Sequence, residues 1–135
     1  HRDFQSTNVM VKDGKTSLID YQGLRWGVPE YDLASLVYDP YTEFTPEQRE
    51  QLIAYYFSLK WEQDPSLDLD SFRRLLHQCA TQRLMQALGA YGFLSEVKGK
   101  KEFLQHIPVG KKRLAAISEL DGGLAILREV LLPDA

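Results

Sequence analysis

Three oxygen-bearing side chains near the start of the sequence are of the types that a metal-assisted reaction uses. Asp3 lies on a segment with no helical or strand periodicity, Asn8 follows five residues later, and Asp20 comes twelve residues after Asn8. Carboxylate and amide oxygens are hard ligands that suit Mg²⁺, an ion that binds few protein groups and keeps places for water and phosphate oxygens. These residues can act together only if the fold brings them close.

A predicted β-hairpin brings Asn8 and Asp20 close. Two short β-prone runs flank Asp13-Gly14, a pair that favours a two-residue turn because both of its positions need φ > 0. Such a turn sets Asn8 opposite Ile19, so Asn8 and Asp20 are predicted to meet at the open end of the hairpin. The other predicted pairs are Lys12 with Lys15, Val11 with Thr16, Met10 with Ser17, and Val9 with Leu18.

The predicted arrangement fits phosphoryl transfer. That reaction needs a metal ion to neutralise phosphate charge, and a carboxylate to orient the accepting hydroxyl and take its proton. Asn8 and Asp20 are therefore the predicted metal ligands. Asp3, on the loop that enters the hairpin, is close enough to face the same ion or the group reacting beside it.

The rest of the chain predicts helices, from apolar residues at helical spacing and from residues that start or stop a helix. Thr45-Pro46-Glu47-Gln48 has the residue types of a capping box. The predicted segments are residues 30–37, a helix from Thr45 toward Asp64, an apolar stripe from Phe72 to Tyr91, one turn over residues 103–107, and residues 109–132 with a break at Gly122-Gly123.

Composition excludes several classes of partner. The 135 residues are 44% hydrophobic and carry a net charge of −3, so the positive field of a nucleic-acid binder is missing. No apolar run approaches the ~20 residues that cross a bilayer, so neither nucleic acid nor a membrane is an expected partner. Cys79 is the only cysteine, which fits a buried thiol in a reducing, cytoplasmic compartment.

Two segments carry a resemblance to a known fold. They are His1-Arg2-Asp3-Phe4-Gln5-Ser6-Thr7-Asn8 and Leu18-Ile19-Asp20-Tyr21-Gln22-Gly23. Together they resemble the catalytic and metal-binding segments of the protein-kinase-like fold. A protein kinase would show Asp-Phe-Gly and a closing Ala-Pro-Glu segment, whereas this chain has Asp20-Tyr21-Gln22-Gly23 and no such closing segment.

A narrower resemblance follows from that departure. Ile19-Asp20, Gly27 and Asp32-Leu33-Ala34 are similar to the metal segment of the aminoglycoside phosphotransferase and choline kinase superfamily. Within that superfamily, the sequence is most similar to the bacterial amino-sugar kinases, which act on N-acetylmuramate or N-acetylglucosamine. The segments with this similarity are Arg2-Asp3-Phe4-Gln5, Asp20-Tyr21-Gln22 and Gln82-Arg83-Leu84-Met85-Gln86-Ala87-Leu88-Gly89.

The resemblance implies an α+β, mostly α fold over residues 1–135: the C-terminal lobe of a kinase-like fold, with a short catalytic-loop hairpin followed by a helical bundle. It implies that Asp3 is the catalytic base and that Asn8 and Asp20 hold Mg²⁺ bound to ATP. His1 and Arg2 would brace the loop, and Asp32 would accept hydrogen bonds from its backbone. The acceptor would be a small-molecule hydroxyl, most simply that of an amino sugar.

The alternatives are an aminoglycoside, choline or homoserine as the acceptor. A cage for a cationic acceptor could be built from aromatic and acidic side chains, although such aromatics more often pack between helices. The candidate cage residues are Tyr31, Tyr38, Tyr41, Tyr55, Tyr56 and Trp61, with Asp39 and Glu43 nearby.

The sequence opens at His1 without a starting Met and contains neither a Gly-rich phosphate loop nor a Val-Ala-Ile-Lys-like strand. We therefore expect the nucleotide-covering N-terminal lobe to be absent from this chain, and the chain alone to be inactive. We also expect self-association through the face that the missing lobe leaves. The competing hypothesis is a non-catalytic helical binding module that keeps the motifs by descent.

Overall fold

The computed structural model describes residues 1–120 together with residues 126, 127 and 131. Within this part of the chain the protein is mostly helical, with one two-stranded antiparallel hairpin. Its strands are β1 (Val9–Lys12) and β2 (Lys15–Leu18), and its helices are α1 (Glu30–Val37), α2 (Pro46–Gln63), α3 (Leu69–Glu96) and α4 (His106–Leu120). Three short 3₁₀ turns cover Ser6–Asn8, Tyr21–Gly23 and Lys101–Gln105.

The hairpin has the predicted turn and register. Asp13 and Gly14 have φ values of 51° and 71°, as the two-residue turn requires. The register pairs Val9 with Leu18 and Lys12 with Lys15, and the Ile19 amide donates to the main-chain oxygen of Asn8 at 3.1 Å. The predicted alignment of Asn8 with Ile19 is therefore confirmed.

The start of α2 has the predicted capping box. The Thr45 hydroxyl accepts from the Gln48 amide at 3.2 Å, and the Gln48 side chain accepts from the Thr45 amide at 2.9 Å. Pro46 occupies the first turn, where its missing N–H breaks no helical hydrogen bond. The boundaries of α1 and the end of α2 before Asp64 also match the prediction.

The chain divides into two compact units, His1–Leu76 and His77–Ala135. In the first unit, α1 and α2 pack against each other, and the Phe72 ring contacts Tyr56 and Phe57 at centroid distances of 6.1 and 5.2 Å. Its buried apolar side chains include Leu33, Ala34, Val37, Ile53, Phe72 and Leu76.

Helix α3 contains the predicted apolar stripe, and the Cys79 thiol is buried within it. Leu75 departs from the prediction because it is 37% exposed, which places it at the edge of the stripe. The helix begins at Leu69, one residue before Asp70, and the Asp68 carboxylate accepts from the Ser71 amide at 2.8 Å. Asp68 therefore satisfies a donor of the first turn that would otherwise lack a partner.

In the second unit, the prediction for α4 was wrong at its start. The helix begins at His106, three residues before the predicted Val109, and the preceding turn covers Lys101–Gln105. Pro108 falls in the first turn of the helix, where proline is tolerated. The predicted break at Gly122-Gly123 and residues 121–125 lie outside the described part of the chain, as do residues 128–130 and 132.

Contacts of Tyr91 and Gly110 join elements within the second unit. The Tyr91 ring contacts Phe103 and His106 at centroid distances of 5.8 and 5.7 Å. Gly110 is buried, and a Cβ atom there would lie 2.8 Å from the Leu88 Cδ2 atom. At Gly110, helix α4 therefore lies so close to Leu88 that a residue with a Cβ atom would require the Leu88 side chain to shift.

None of the described helices combines the length and the apolar character that a membrane-spanning segment needs.

Candidate active site

The loop that carries Asp3 is tied at its start to α1. The Asp32 carboxylate accepts from the backbone nitrogens of His1 and Arg2, at 2.6 and 2.8 Å. Asp32 lies in the first turn of α1, so the helix presents this acceptor at a fixed position. The expected hydrogen bonds from the loop backbone to Asp32 are therefore present.

The side chains of His1 and Arg2 bond the same loop to the segment that follows β2. His1 Nε2 lies 3.0 Å from the main-chain oxygen of Ile19, and an Arg2 guanidinium nitrogen donates to the main-chain oxygen of Gly23 at 3.4 Å. Arg2 has a φ of 70°, in the left-handed region that residues other than glycine seldom adopt. The hydrogen bonds at both ends of Arg2 hold this conformation, in agreement with the bracing role expected for His1 and Arg2.

Asp3 and Asn8 contact each other across the loop. The Asn8 side-chain nitrogen donates to the main-chain oxygen of Asp3 at 2.9 Å and lies 3.4 Å from the Asp3 carboxylate. Asn8 is buried, and Asp3 is partly buried with Gln5 Nε2 at 3.5 Å from its carboxylate. Because the amide nitrogen of Asn8 faces Asp3, its oxygen is directed elsewhere and has the chemistry of a metal ligand.

Asp20 lies immediately after Ile19, at the exit of the hairpin. Its φ of 62° and ψ of 39° place it in the left-handed region, which aspartate tolerates better than most residues. The carboxylate is exposed and accepts from the Gln22 side chain at 2.5 Å. Within the described residues, the structure thus joins Asp3 to Asn8 and places Asp20 next to the residue paired with Asn8. A metal ion shared by Asn8 and Asp20 stays a prediction.

A second carboxylate holds the middle of the loop, and sequence reasoning missed its role. Asp39 is only 3% exposed, and one of its carboxylate oxygens accepts from both the amide and the hydroxyl of Ser6, each at 2.8 Å. The other oxygen accepts from the Tyr41 amide at 3.0 Å. No spacing pattern signals this role, because Asp39 lies beyond the end of α1 and bonds a segment 33 residues away.

The structure gives packing roles to Tyr38 and Tyr56, whereas Tyr55 and Trp61 are exposed. Asp39, one of the two acids assigned to the cage, instead bonds the loop. Tyr38 is buried beneath the Arg49 guanidinium at 5.2 Å, and this burial raises the pKa of the Tyr38 hydroxyl. Tyr56 stacks on Phe72, and burial raises its pKa as well.

Helix α2 fixes α1 at both ends, and α1 in turn fixes the loop. Near the start of α1, the buried Glu30 carboxylate accepts from Lys60 at 2.5 Å, and this hydrogen bond raises the pKa of Lys60. At the end of α1, Arg49 donates to the main-chain oxygen of Val37 at 2.9 Å. The start of α1 thus meets the end of α2, so the two helices run antiparallel.

A cavity of about 450 Å³ adjoins the loop and the segment that follows Asp20. Its lining is mostly apolar and consists of His1, Phe4, Leu18, Tyr21, Leu24 and Asp32. Its volume lies within the range of small-molecule sites.

The geometry above lies within a segment that matches a known family. The profile of a phosphotransferase enzyme family matches residues 1–69, slightly more than half of the chain. The chain belongs to this phosphotransferase family. The matched range includes the loop, the hairpin, α1 and α2, and it confirms the resemblance seen in the sequence.

Relatives along the whole chain point the same way. The chain is 29% identical to an N-acetylmuramate/N-acetylglucosamine kinase of Neisseria meningitidis serogroup B, over 98% of this chain and 40% of that protein. Kinases of the same name are 25% identical in Caulobacter vibrioides, over 80% of this chain and 30% of the relative, and 24% identical in Pseudomonas aeruginosa, over 80% and 32%. The chain thus spans less than half the length of each of these relatives. No solved structure matches it significantly.

Proposed function

We propose that this chain supplies the catalytic carboxylate and the metal ligands of a phosphotransferase that moves the γ-phosphate of ATP to a hydroxyl of an amino sugar. The observation that carries the proposal is the contact between Asp3 and Asn8, on a loop that α1 holds through Asp32. Membership of the phosphotransferase family supports the class of reaction. The names of the relatives support the class of acceptor.

In this proposal, Asp3 orients the acceptor hydroxyl and takes its proton as the phosphoryl group transfers. Asp3 is partly buried, so its carboxylate is held in place while part of it stays accessible to the acceptor. Proton transfer to a base positioned in this way contributes typically 10²–10⁴-fold to a rate. The direction of the Asp3 carboxylate is set by the side-chain nitrogens of Asn8 and Gln5, which lie 3.4 and 3.5 Å from one of its oxygens.

The donor set of Asn8 and Asp20 fits Mg²⁺. The Asn8 amide oxygen is turned away from Asp3, and the Asp20 carboxylate is exposed to an incoming ion. A set of two protein ligands would leave places on the ion for water and phosphate oxygens. Bound there, Mg²⁺ would neutralise phosphate charge.

We further propose that this chain is the C-terminal lobe of a kinase-like fold and that residues outside it enclose the nucleotide. Support comes from the relatives, of which the chain spans 40% or less, and from the lack of a Gly-rich phosphate loop in the sequence. The hairpin exposes Met10, Val11 and Ile19, which gives another lobe an apolar surface to pack against.

The test is an acceptor screen with the protein encoded by the whole reading frame that contains this chain. Mg²⁺ and ATP are supplied with N-acetylglucosamine, N-acetylmuramate, choline, homoserine or an aminoglycoside, and ³¹P NMR identifies the product. We expect a sugar phosphate formed at the anomeric hydroxyl of an amino sugar. Phosphorylation of another acceptor alone would overturn the substrate class, and no phosphorylated product from any of them would overturn the reaction.

A further inference from the structure

Asp39 makes contacts that the proposed chemistry does not itself use. Its side chain is buried, and its two oxygens accept from three donors on two separate segments, at Ser6 and at Tyr41. Asp39 lies 33 residues from Ser6 in the sequence, so these bonds fix the loop to a distant part of the chain. Burying a carboxylate is costly, and the three hydrogen bonds compensate for that cost.

Asp32 and Asp39 hold the loop at two points on either side of Asp3. Asp32 lies in the first turn of α1 and accepts from Arg2, while Asp39 lies two residues beyond the end of α1 and accepts from Ser6. The two carboxylates therefore bond the loop from opposite ends of α1.

Ser6 also begins the 3₁₀ turn that ends at Asn8. Within this turn the Asn8 amide donates to the main-chain oxygen of Gln5 at 2.9 Å, and the Asn8 side chain reaches back to Asp3. A displacement of Ser6 would therefore move Asn8 relative to Asp3. Errors of about 1 Å in such a relative position cost on the order of 10²-fold in rate.

We propose that Asp39 is a positioning residue for the phosphoryl transfer, acting through Ser6 on the relative placement of Asp3 and Asn8. The inference rests on the proposed function for its kinetic consequence, and on the contacts of Asp39 for its geometry. Asp39 touches neither the acceptor nor the nucleotide in this account. It fixes the conformation of the loop, and with it the relative placement of Asp3 and Asn8, before the acceptor or the nucleotide binds.

Asparagine cannot replace Asp39 without losing one of these contacts. A carboxylate accepts at both oxygens, whereas an amide has one accepting oxygen and one donating nitrogen. In either amide orientation, the NH₂ group would face an N–H donor, at Ser6 or at Tyr41. Asp39→Asn thus changes the contact geometry with almost no change in volume.

The chain offers a matched control at Asp64. One Asp64 carboxylate oxygen accepts from both the amide and the hydroxyl of Ser66, at 3.0 and 2.6 Å, which repeats the pattern that joins Asp39 to Ser6. That pair lies on an exposed turn after α2, and both of its hydrogen bonds are local to that turn. Asp64→Asn therefore reports the cost of losing the same type of bond away from the site.

The kinetic test uses the intact protein with Mg²⁺, ATP and its amino-sugar acceptor. We expect Asp39→Asn to lower kcat by about 10- to 100-fold while the KM for ATP changes less than about threefold. Ser6→Ala, which keeps the amide and removes only the hydroxyl, should lower kcat by about three- to tenfold. The double variant should lose less than the product of the two single losses, and Asp64→Asn should stay within about twofold of the wild type.

Two outcomes would overturn the proposal, and the first does so even if Asp39→Asn fails to fold. One is a Ser6→Ala protein with an unchanged kcat. The other is a loss of kcat in Asp39→Asn that merely follows its loss of folded protein in a thermal melt, since a purely structural residue would give that result.

A second readout separates this proposal from the proposed function. Hydrogen exchange of Asp39→Asn should be at least about tenfold faster than wild type in peptides covering residues 4–8, and unchanged in peptides of α2. If the wild type transfers no phosphate, the proposed function fails, while faster exchange still supports the loop contact. Unchanged exchange at residues 4–8 would overturn the positioning role regardless of activity.

Discussion

At the scale of single residues, the direction of the Asn8 amide group decides what the site can hold. Its nitrogen donates to Asp3, so its oxygen is the atom that the proposed metal site would use. The Asp20 carboxylate accepts from Gln22 at 2.5 Å, and this bond must lengthen or turn when the carboxylate takes a metal. The two predicted ligands therefore differ, because Asn8 is buried and held while Asp20 is exposed.

The first prediction concerns these two ligands. In a crystal structure of the intact protein with Mg²⁺ and a non-hydrolysable ATP analogue, Asn8 Oδ1 and an Asp20 oxygen should each lie about 2.1 Å from one ion. Asn8→Ala should weaken Mn²⁺ binding in the presence of the nucleotide, with Gln5→Ala as the control on the same loop. An ion bound without either side chain would refute the assignment.

Sequence reasoning placed Asn8 opposite Ile19, and so next to Asp20, because the register of a hairpin follows from its turn. An Asp-Gly pair determines which residues face each other across two strands, so a local signal predicts a bond between residues eleven positions apart. Asp39 escaped because it acts on the amide and hydroxyl of Ser6, 33 residues away. A bond to a backbone donor leaves no spacing pattern in the sequence.

At the scale of elements, α1 depends on its neighbours. A helix of eight residues is too short to be stable alone in water, so α1 needs the contacts that α2 makes at both of its ends. Lys60 holds the Glu30 end, and Arg49 holds the Val37 end. Because α1 carries Asp32, these contacts also fix the start of the catalytic loop.

The second prediction tests the Glu30 end of α1. Lys60→Met should lower the free energy of unfolding by about 1–3 kcal/mol, because it leaves the buried Glu30 carboxylate without its cation. The matched control is Lys101→Met, since Lys101 pairs with Glu96 at 3.3 Å and both side chains are well exposed. Urea denaturation should show a change below about 0.5 kcal/mol for this control.

The contribution of Lys60 should also depend on pH. The pKa of Lys60 is raised in the folded state, so the stability that its charge contributes is fully present below the ordinary lysine value of about 10.4. It is lost as the pH rises through the raised folded value. The difference in the free energy of unfolding between wild type and Lys60→Met should thus be constant from pH 7 to 9 and shrink as the pH rises through the raised pKa of Lys60. Equal stabilities at pH 7 would contradict the account.

The third prediction compares glycines in α3 and α4. A Cβ atom at Gly89 or Gly92 meets no other atom within 4 Å, so Gly89→Ala and Gly92→Ala should each stabilise the protein by about 0.5–1 kcal/mol. Gly110→Ala should instead be destabilising, because its Cβ would lie 2.8 Å from Leu88 Cδ2 and 3.3 Å from Leu88 Cγ. Thermal melts of the three variants test this, and a stabilised Gly110→Ala would show that Leu88 moves aside freely.

Elements with strong local signals were predicted well, and those decided by packing were not. The hairpin, α1 and the capped start of α2 follow from turn, proline and cap residues. The start of α4 did not, because the prediction begins the helix after Pro108, whereas proline is tolerated in a first turn and the helix begins at His106. The exposure of Leu75 likewise depends on how far the buried face of α3 extends.

At the scale of the whole molecule, the unit His1–Leu76 contains the entire candidate site and the whole family match. The site is well held from the α1 side, whereas the hairpin residues Met10 and Val11 are 52% and 70% exposed. Spacing within the sequence indicated the hairpin but could not give this exposure, which depends on what the rest of the protein places against it.

The fourth prediction follows from that exposed hairpin. The 135-residue chain alone should fold, with helix dominating its circular dichroism, and should self-associate at high concentration through the apolar hairpin. It should not turn over ATP, since the proposed metal ligands alone would not position the nucleotide for transfer. Turnover within about tenfold of the intact protein would show that the nucleotide site is complete in this chain.

The most direct test of the central claim is the turnover of Asp3→Asn in the intact protein. This change keeps the volume of the side chain and removes the charge that orients and deprotonates the acceptor hydroxyl. The account predicts a fall in kcat of about 10² or more, with ATP affinity measured by calorimetry nearly unchanged. Near-normal turnover would contradict the assignment of Asp3 as the base, and loss of nucleotide binding would make it a metal ligand instead.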